Sequence, residues 1–186
     1  MYSPLSSLLN STLSSFTVLY IFKNGWFVLP FPWVLKNLAV VLKNLYEKLK
    51  DVIENYKNGI DVDDNNIYLD TDYLIVSGTQ NTQNTWMDAK CNNKAVTPRN
   101  GKAVEINSLW YNANIIMADL ENKIGNKNDA KKYQELARKC KKAFNEKFYN
   151  KKRKCLYDVI GDAKIRPNQL FSMSLTYQVI DTNSEE

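Results

Sequence analysis

The stretch QNTWMDAKCNNKAVTPRNGKAVEINSL, Gln83–Leu109, decides how the rest of the chain is read. It fits neither an ordinary helix nor an ordinary turn. Trp86, Asp88, Lys90, the run Thr97-Pro98-Arg99 and Glu105 fall in a loop that then feeds a helix. Polar groups gathered on an irregular loop held by helices are the usual form of a binding or catalytic site.

Composition narrows the chemistry that such a loop can do. The chain has 186 residues, 44% hydrophobic and 24% charged, as expected of one globular domain or part of a larger one. It contains no histidine. That removes Ser-His-Asp and Cys-His triads and the commonest zinc ligand, and leaves acid–base work to Asp, Glu, Lys or Tyr. Three cysteines, Cys91, Cys140 and Cys155, are odd in number and lack the short spacing of a metal knuckle. Free thiols in a reducing cytoplasm are the expectation. The net charge of +5 comes with lysines spread from Lys36 to Lys154, which reads as solvated helix surface and not as a nucleic-acid patch.

Outward from the loop, the chain reads as helices joined by irregular connections. On the N-terminal side, residues 16–35 are apolar but interrupted by Lys23, Gly25, Pro30 and Pro32. The basic flank of a secretory signal is missing, and the interruptions argue against a membrane span. A segment whose apolar surface packs on something, or that is poorly ordered, is the expectation. From about Leu38 to Tyr56, apolar residues recur every three or four positions, and Asn58-Gly59 ends that helix. Asp61, Asp63, Asn65 and Asp72 match positions of a calcium-loop template, but Asn66 stands where the template needs glycine, so a plain Asx-rich turn is expected. Short extended pieces flank it.

On the C-terminal side, a helix from Ala103 carries the stripe Ile106, Leu109, Trp110, Ala113, Ile116, Met117 and Leu120, and Gly125 closes it. A second runs from about Asn128 to Tyr149 with Tyr133, Leu136, Ala137, Cys140, Ala143, Phe144 and Phe148 inward. After a basic turn and the extended piece Cys155–Val159, a last helix is expected from Asn168 to Val179. Antiparallel helices bring alternate connections to one end of a layer. That would place Asp88, Arg99, Glu105, Arg166 and Asn168 on one rim.

Each of these residues also has a plain structural reading. Asp88 beside Trp86 is either a partly desolvated carboxyl suited to proton donation or a surface Asp. Arg99 either holds a ligand or is a turn arginine. Glu105 binds a hydroxyl, orients Arg99, or simply answers the helix dipole. Asn107 lies one turn on. Trp86 can stack on a sugar ring, whereas Trp110 sits on the apolar stripe. Asn168 is a plausible N-cap.

Three motifs in order resemble the glycogen debranching enzyme family in its amylo-α-1,6-glucosidase domain: TWMDAK (85–90), VTPRNGKAVEINSLWYNA (96–113) and IRPNQLFSMSL (165–175). The resemblance begins near NLYEKLKDVIENYKNGI (44–60) and runs to about residue 181. The wider group of trehalase-like and glucoamylase-like proteins shares Val104-Glu105-Ile106-Asn107. The resemblance implies an all-α fold, part of an (α/α)6 toroid of helical hairpins with an irregular active-site loop and short β pieces. On this view residues 1–36 are a non-matching N-terminal segment and residues 37–186 a partial glucosidase domain. It implies inverting hydrolysis of α-1,6-linked glucose at branch points of glycogen or a related α-glucan, without metal or organic cofactor. Asp88 matches the general acid, and Trp86, Lys90, Arg99, Glu105, Asn107, Arg166 and Asn168 match positions at the sugar site.

The departures shape what is expected of this chain. Asn81 and Asn84 stand where the family has glycine and leucine, and the loop after Asp88 lacks the usual glycine and tryptophan. An inverting glycosidase needs a second carboxylate to activate water. No motif for the family's Glu appears before Glu186. The expectation is a fragment carrying the acid-side half of the site, inactive alone and open to self-association through uncovered apolar helix faces. The other readings are a non-catalytic glucan-binding remnant and an unrelated helical interaction module. Neither nucleic acid nor membrane is an expected partner.

Overall fold

The computed structural model describes residues 19–22, 25–28, 31–60 and 65–181, with side chains from residue 40 onward. The packing expected of the apolar run 16–35 lies outside the described side chains. Its backbone shows an antiparallel hairpin of β1 (Leu19–Phe22) and β2 (Gly25–Val28).

Helix α1 spans Phe31–Asn58 and starts seven residues before the expected Leu38, inside the segment expected to be non-matching. Pro32 explains the difference. In a first helical turn no N–H has an intrahelical acceptor, so proline costs nothing there. The apolar stripe of α1 is mostly uncovered. Ile53 is buried, whereas Leu42, Leu45, Leu49 and Val52 are exposed. Among the described residues α1 meets the rest of the chain along a narrow line. Tyr56 stacks on Trp110 with ring centroids 6.4 Å apart. Nearer the middle, the Tyr46 hydroxyl donates to Glu121 Oε1 at 2.7 Å. Burial, then that hydrogen bond, raises the Tyr46 phenol above its ordinary value.

The centre of the fold is the antiparallel pair α2 (Val104–Ile124) and α3 (Lys127–Phe148). Gly125 ends α2 with φ +87° and its N–H on the carbonyls of Glu121 and Asn122. That left-handed cap suits glycine, and the turn it makes folds α3 straight back on α2. The buried face of α3 holds Tyr133, Ala137, Cys140, Ala143, Phe144 and Phe148, as its periodicity predicts. Phe144 and Phe148 stack at 4.4 Å. Burial pushes the Cys140 thiol up to about 12, so it behaves as a small apolar side chain. All three cysteines are free.

The stripe expected for α2 is only half right. Trp110 and Met117 are buried, but Leu109 and Ile116 are exposed, while Glu105, Asn107, Ser108, Asn112, Asn114 and Glu121 are buried. Several of these polar groups bond back to their own helix. Ser108 donates to the Val104 carbonyl at 2.8 Å, and Asn112 to that of Ser108 at 3.1 Å. A side chain satisfied this way can be buried with little penalty, so hydrophobic periodicity finds only one of the packed faces of α2.

The expected C-terminal helix is also shorter than its pattern. A 3-10 turn (Pro167–Leu170) leads into α4 (Phe171–Ser174), and Leu175 is extended. Two asparagines from the central pair hold the chain open beyond it. Asn112 donates to the Tyr177 carbonyl at 2.6 Å and accepts its N–H at 3.0 Å. Asn145 does the same for the Val179 carbonyl and the Asp181 N–H, both at 2.8 Å. These side-chain bonds substitute for helical ones, so the extended path keeps its backbone satisfied.

Short hairpins fill the connections. β3 (Tyr68–Leu69) pairs with β4 (Ile75–Val76), β5 (Lys90–Cys91) with β6 (Lys94–Ala95), and β7 (Tyr149–Asn150) with β8 (Cys155–Leu156). The β5–β6 turn is Asn92-Asn93, both at positive φ. That is the requirement of a two-residue hairpin turn, and asparagine meets it where the resemblance expects glycine. Of the calcium-template positions, Asp61 and Asp63 lie outside the described residues. Asp72 is instead gripped by Lys102 at 2.6 Å and by Lys147. Lys102 also holds Asp70 at 2.6 Å, so one ammonium ties the β3–β4 turn to the residues just before α2.

The clasp sets a pH dependence. Burial works against the Asp72 carboxylate, but hydrogen bonds from Lys102 and Lys147 outweigh it, and the group sits below its usual range. A carboxylate depressed in the folded state stabilises the fold above its unfolded value of about 3.9, and that contribution fades as pH falls through the lower folded value. Asp72→Asn is therefore expected to cost on the order of 1 kcal/mol at neutral pH. The gap from wild type should shrink below about pH 4, as read by urea unfolding across that range. A pH-independent difference would contradict the clasp.

Candidate functional site

The loop that carries Trp86 and Asp88 is pinched shut at its base. Ser77 and Gly101 exchange backbone hydrogen bonds in both directions at 2.9 Å, and Gly101 has φ +100°, which glycine tolerates best. Within the loop, Asn84 donates to the Asn65 carbonyl at 2.7 Å, a polar contact where the resemblance expects leucine. The C-terminal side is stitched on next to it. Val104 N–H donates to the Asp158 carbonyl, and Ile160 N–H to that of Lys102, both at 3.0 Å. The start of α2 and the segment after β8 therefore run side by side.

Beneath the loop lies a buried charge cluster centred on Arg99. Its Nη2 meets Glu105 Oε2 at 2.6 Å, and its Nη1 meets Glu105 Oε1. On the other side Nε meets Asp158 Oδ2 at 2.7 Å and Nη2 meets Oδ1 at 3.0 Å. One guanidinium thus makes a two-point contact with each of two carboxylates, the strongest geometry open to it. All three side chains are at most 2% exposed. Burial opposes the Arg99 charge, but the hydrogen bonds and charges of Glu105 and Asp158 prevail and hold it above its ordinary value.

Asp158 collects two further donors. Arg166 Nη1 approaches its Oδ2 at 2.5 Å and also reaches Asp162 at 3.2 Å. Asn168 Nδ2 approaches Oδ1 at 2.7 Å. With four side-chain bonds the acceptor capacity of Asp158 is filled. Asp162, also burdened by burial, is held below the usual carboxylate range by the Lys164 N–H and then by Arg166.

Asn168 is the link to the surface. Its Oδ1 accepts from Trp86 Nε1 at 2.9 Å, and its Nδ2 lies 3.5 Å from Met87 Sδ. Trp86 nevertheless leaves 62% of its surface in solvent. Asp88 and Lys90 are exposed as well, with no hydrogen bond or ion pair to the cluster. Of the two readings of Asp88, a partly desolvated carboxyl or a surface Asp, its exposure matches the second.

The residues singled out from the sequence separate into layers. Trp86, Asp88 and Lys90 face solvent. Arg99, Glu105 and Asn168 lie below them with Arg166 half-buried at their side. Asn107 is not part of the cluster. It is fully buried, and its amide brackets Ile75, accepting from the N–H at 2.7 Å and donating to the carbonyl at 3.1 Å. Asp158 escaped the sequence reading. The clue was a carboxylate inside the extended apolar piece Cys155–Val159, where a charge demands a partner.

With this geometry in hand, the comparison with known families is specific. The family model described as amylo-α-1,6-glucosidase matches residues 31–186. The chain belongs to that family, and so carries a domain of the glycogen-debranching type of glycoside hydrolase. The match extends the resemblance near residue 44 back to the first residue of α1. No curated protein and no solved structure matches the chain. Among the described residues, no helix is long and apolar enough to cross a membrane, and no group of His, Cys, Asp and Glu is placed to hold a metal ion.

Removing one partner of a buried ion pair strands the other, at a cost of about 3–5 kcal/mol. Asp158→Ala is expected to lose about that much in urea unfolding. Arg166→Met, at a half-buried and doubly shared site, should lose clearly less. Equal losses would mean that Asp158 is not the carboxylate on which the cluster closes.

Proposed function

We propose that this chain holds the acid-side half of a site for α-1,6-linked glucose at branch points of glycogen or a related α-glucan. The observation that carries the reading is the pair of exposed side chains Trp86 and Asp88, with Trp86 bonded to Asn168 of the buried cluster, in a chain of this family. An open indole face offers the apolar surface on which a sugar ring packs. A sugar seated there would strip water from the neighbouring Asp88, which favours the proton-donating form of a carboxyl. Inversion then needs a second carboxylate to activate water on the opposite face of the ring. Neither Glu105 nor Asp158 suits that task, because both are buried and committed to Arg99. The base thus comes from outside this cluster, as it would in an (α/α)6 toroid to which this chain contributes some of the hairpins.

A second reading, glucan binding without turnover, draws on the same commitment of both carboxylates to Arg99. The two separate on a maltotriose bearing one α-1,6-glucosyl branch. Saturable quenching of tryptophan fluorescence is expected, and Trp86→Ala should abolish it. Glucose release should stay near background until formate is added as an external base, and the formate-dependent release should vanish in Asp88→Asn. Binding with no formate-dependent release favours the second reading. Release that survives Asp88→Asn removes Asp88 from the acid role, and quenching unaffected by Trp86→Ala removes the sugar from this surface.

A further inference from the structure

The resemblance counts Asn168 among the sugar contacts, but its place in the structure points elsewhere. It is 1% exposed and lies under the loop. Both ends of its amide are in use: Oδ1 takes the Trp86 indole N–H, and Nδ2 meets Asp158 Oδ1 and the Met87 sulfur. We propose that Asn168, anchored by Asp158, is a positioning residue that fixes the Trp86 ring and the turn leading to Asp88. On this proposal it never touches the sugar.

Three observations support the assignment. The first is the directionality of the relay. Asp158 is an acceptor filled by Arg99, Arg166 and Asn168. A carboxylate can only accept, so the Asn168 amide must present its NH2 to Asp158 and its oxygen to the loop. That leaves an acceptor facing Trp86, whose indole nitrogen can only donate. The charge of Asp158 therefore selects the orientation that grips the indole.

The second is the contrast between ring and nitrogen. Trp86 as a residue is 62% exposed, yet the one polar atom of its side chain is bonded to a buried side chain. An exposed tryptophan held at a single edge keeps its face free while losing rotational freedom. Restricting a side chain before its ligand arrives reduces the ordering cost of binding.

The third is the place of Asn168 in the chain. Pro167 opens the 3-10 turn, and Arg166 before it is extended. The Asn168 backbone carbonyl accepts the Phe171 N–H. This short turn is braced at Ser172, whose hydroxyl donates to the Gln169 carbonyl at 2.7 Å and whose carbonyl accepts the Val179 N–H at 3.1 Å. The side chain that grips Trp86 thus stands on a fixed base.

The inference rests on the α-glucan reading for its consequence, but the grip itself can be measured without sugar. In a background where Trp26, Trp33 and Trp110 are Phe, anisotropy decay reports on Trp86 alone. Asn168→Ala should increase the fast motion of the indole, and Asn168→Asp, which sets two carboxylates face to face, should do the same. Unchanged motion in both overturns the proposal whatever the ligand. With the glucosyl-branched maltotriose, Asn168→Ala should weaken binding about 5- to 10-fold, the loss of one ordering hydrogen bond. The same change made in Trp86→Phe, whose ring has no N–H, should weaken it little further. Equal losses in both backgrounds would show that Asn168 acts on the sugar directly or on the fold at large, and would falsify its action through the indole. If wild type binds no α-glucan while the anisotropy changes persist, the glucan reading fails and the grip stands.

Discussion

The site depends on one guanidinium. Arg99 stands between Glu105 and Asp158, and through them it ties three separate stretches together: the end of the loop that carries Trp86 and Asp88, the first turn of α2, and the segment after β8. Such a cluster adds little net stability compared with an apolar core of the same volume, because three charges have left water. Its contribution is to arrangement. With every carboxylate oxygen and most guanidinium N–H groups spoken for, alternative packings of the three stretches would strand a charge. That constraint makes the surface above it definite.

Depth then sorts the polar residues by role. Those in the lower layer, Arg99, Glu105, Asp158 and Asn168, are buried and bonded to one another. Those in the upper layer, Trp86, Asp88 and Lys90, are open. A motif match does not distinguish these layers, since both are written in the same short runs of sequence. Asn107 and Glu105 illustrate the point. They are two residues apart in one motif, yet one brackets a strand and the other neutralises an arginine.

Much of the fold was legible because local rules governed it. The α2–α3 hairpin followed from apolar spacing and the glycine between the helices. Of the five residues that the alternation of connections placed on one rim, Arg99, Glu105, Arg166 and Asn168 gather around Asp158, whereas Asp88 is exposed and makes no bond to them. What escaped was set by long-range pairing. Nothing local shows that Asn112 and Asn145 will hold residues 177–181 extended, so Leu175 and Val179 read as helix. The apolar pattern on α1 does not reveal that Leu42, Leu45, Leu49 and Val52 are left exposed while Ile53 is buried. Asp158 was hidden because the guanidinium that it pairs with at two points, that of Arg99, lies 59 residues back in the chain.

Those separations bear on the order in which the molecule assembles. The α2–α3 pair closes through a single tight turn, and contacts of such short range form early. The Arg99–Asp158 pair spans 59 residues and the Trp86–Asn168 bond spans 82. Closing loops of that length is entropically slow, so the surface that presents Trp86 and Asp88 forms after the helices that carry it. A nascent chain would thus have its hydrophobic centre well before the Trp86 indole is held in place, and local opening in the finished protein should begin at the loop that carries it, not in the hairpin.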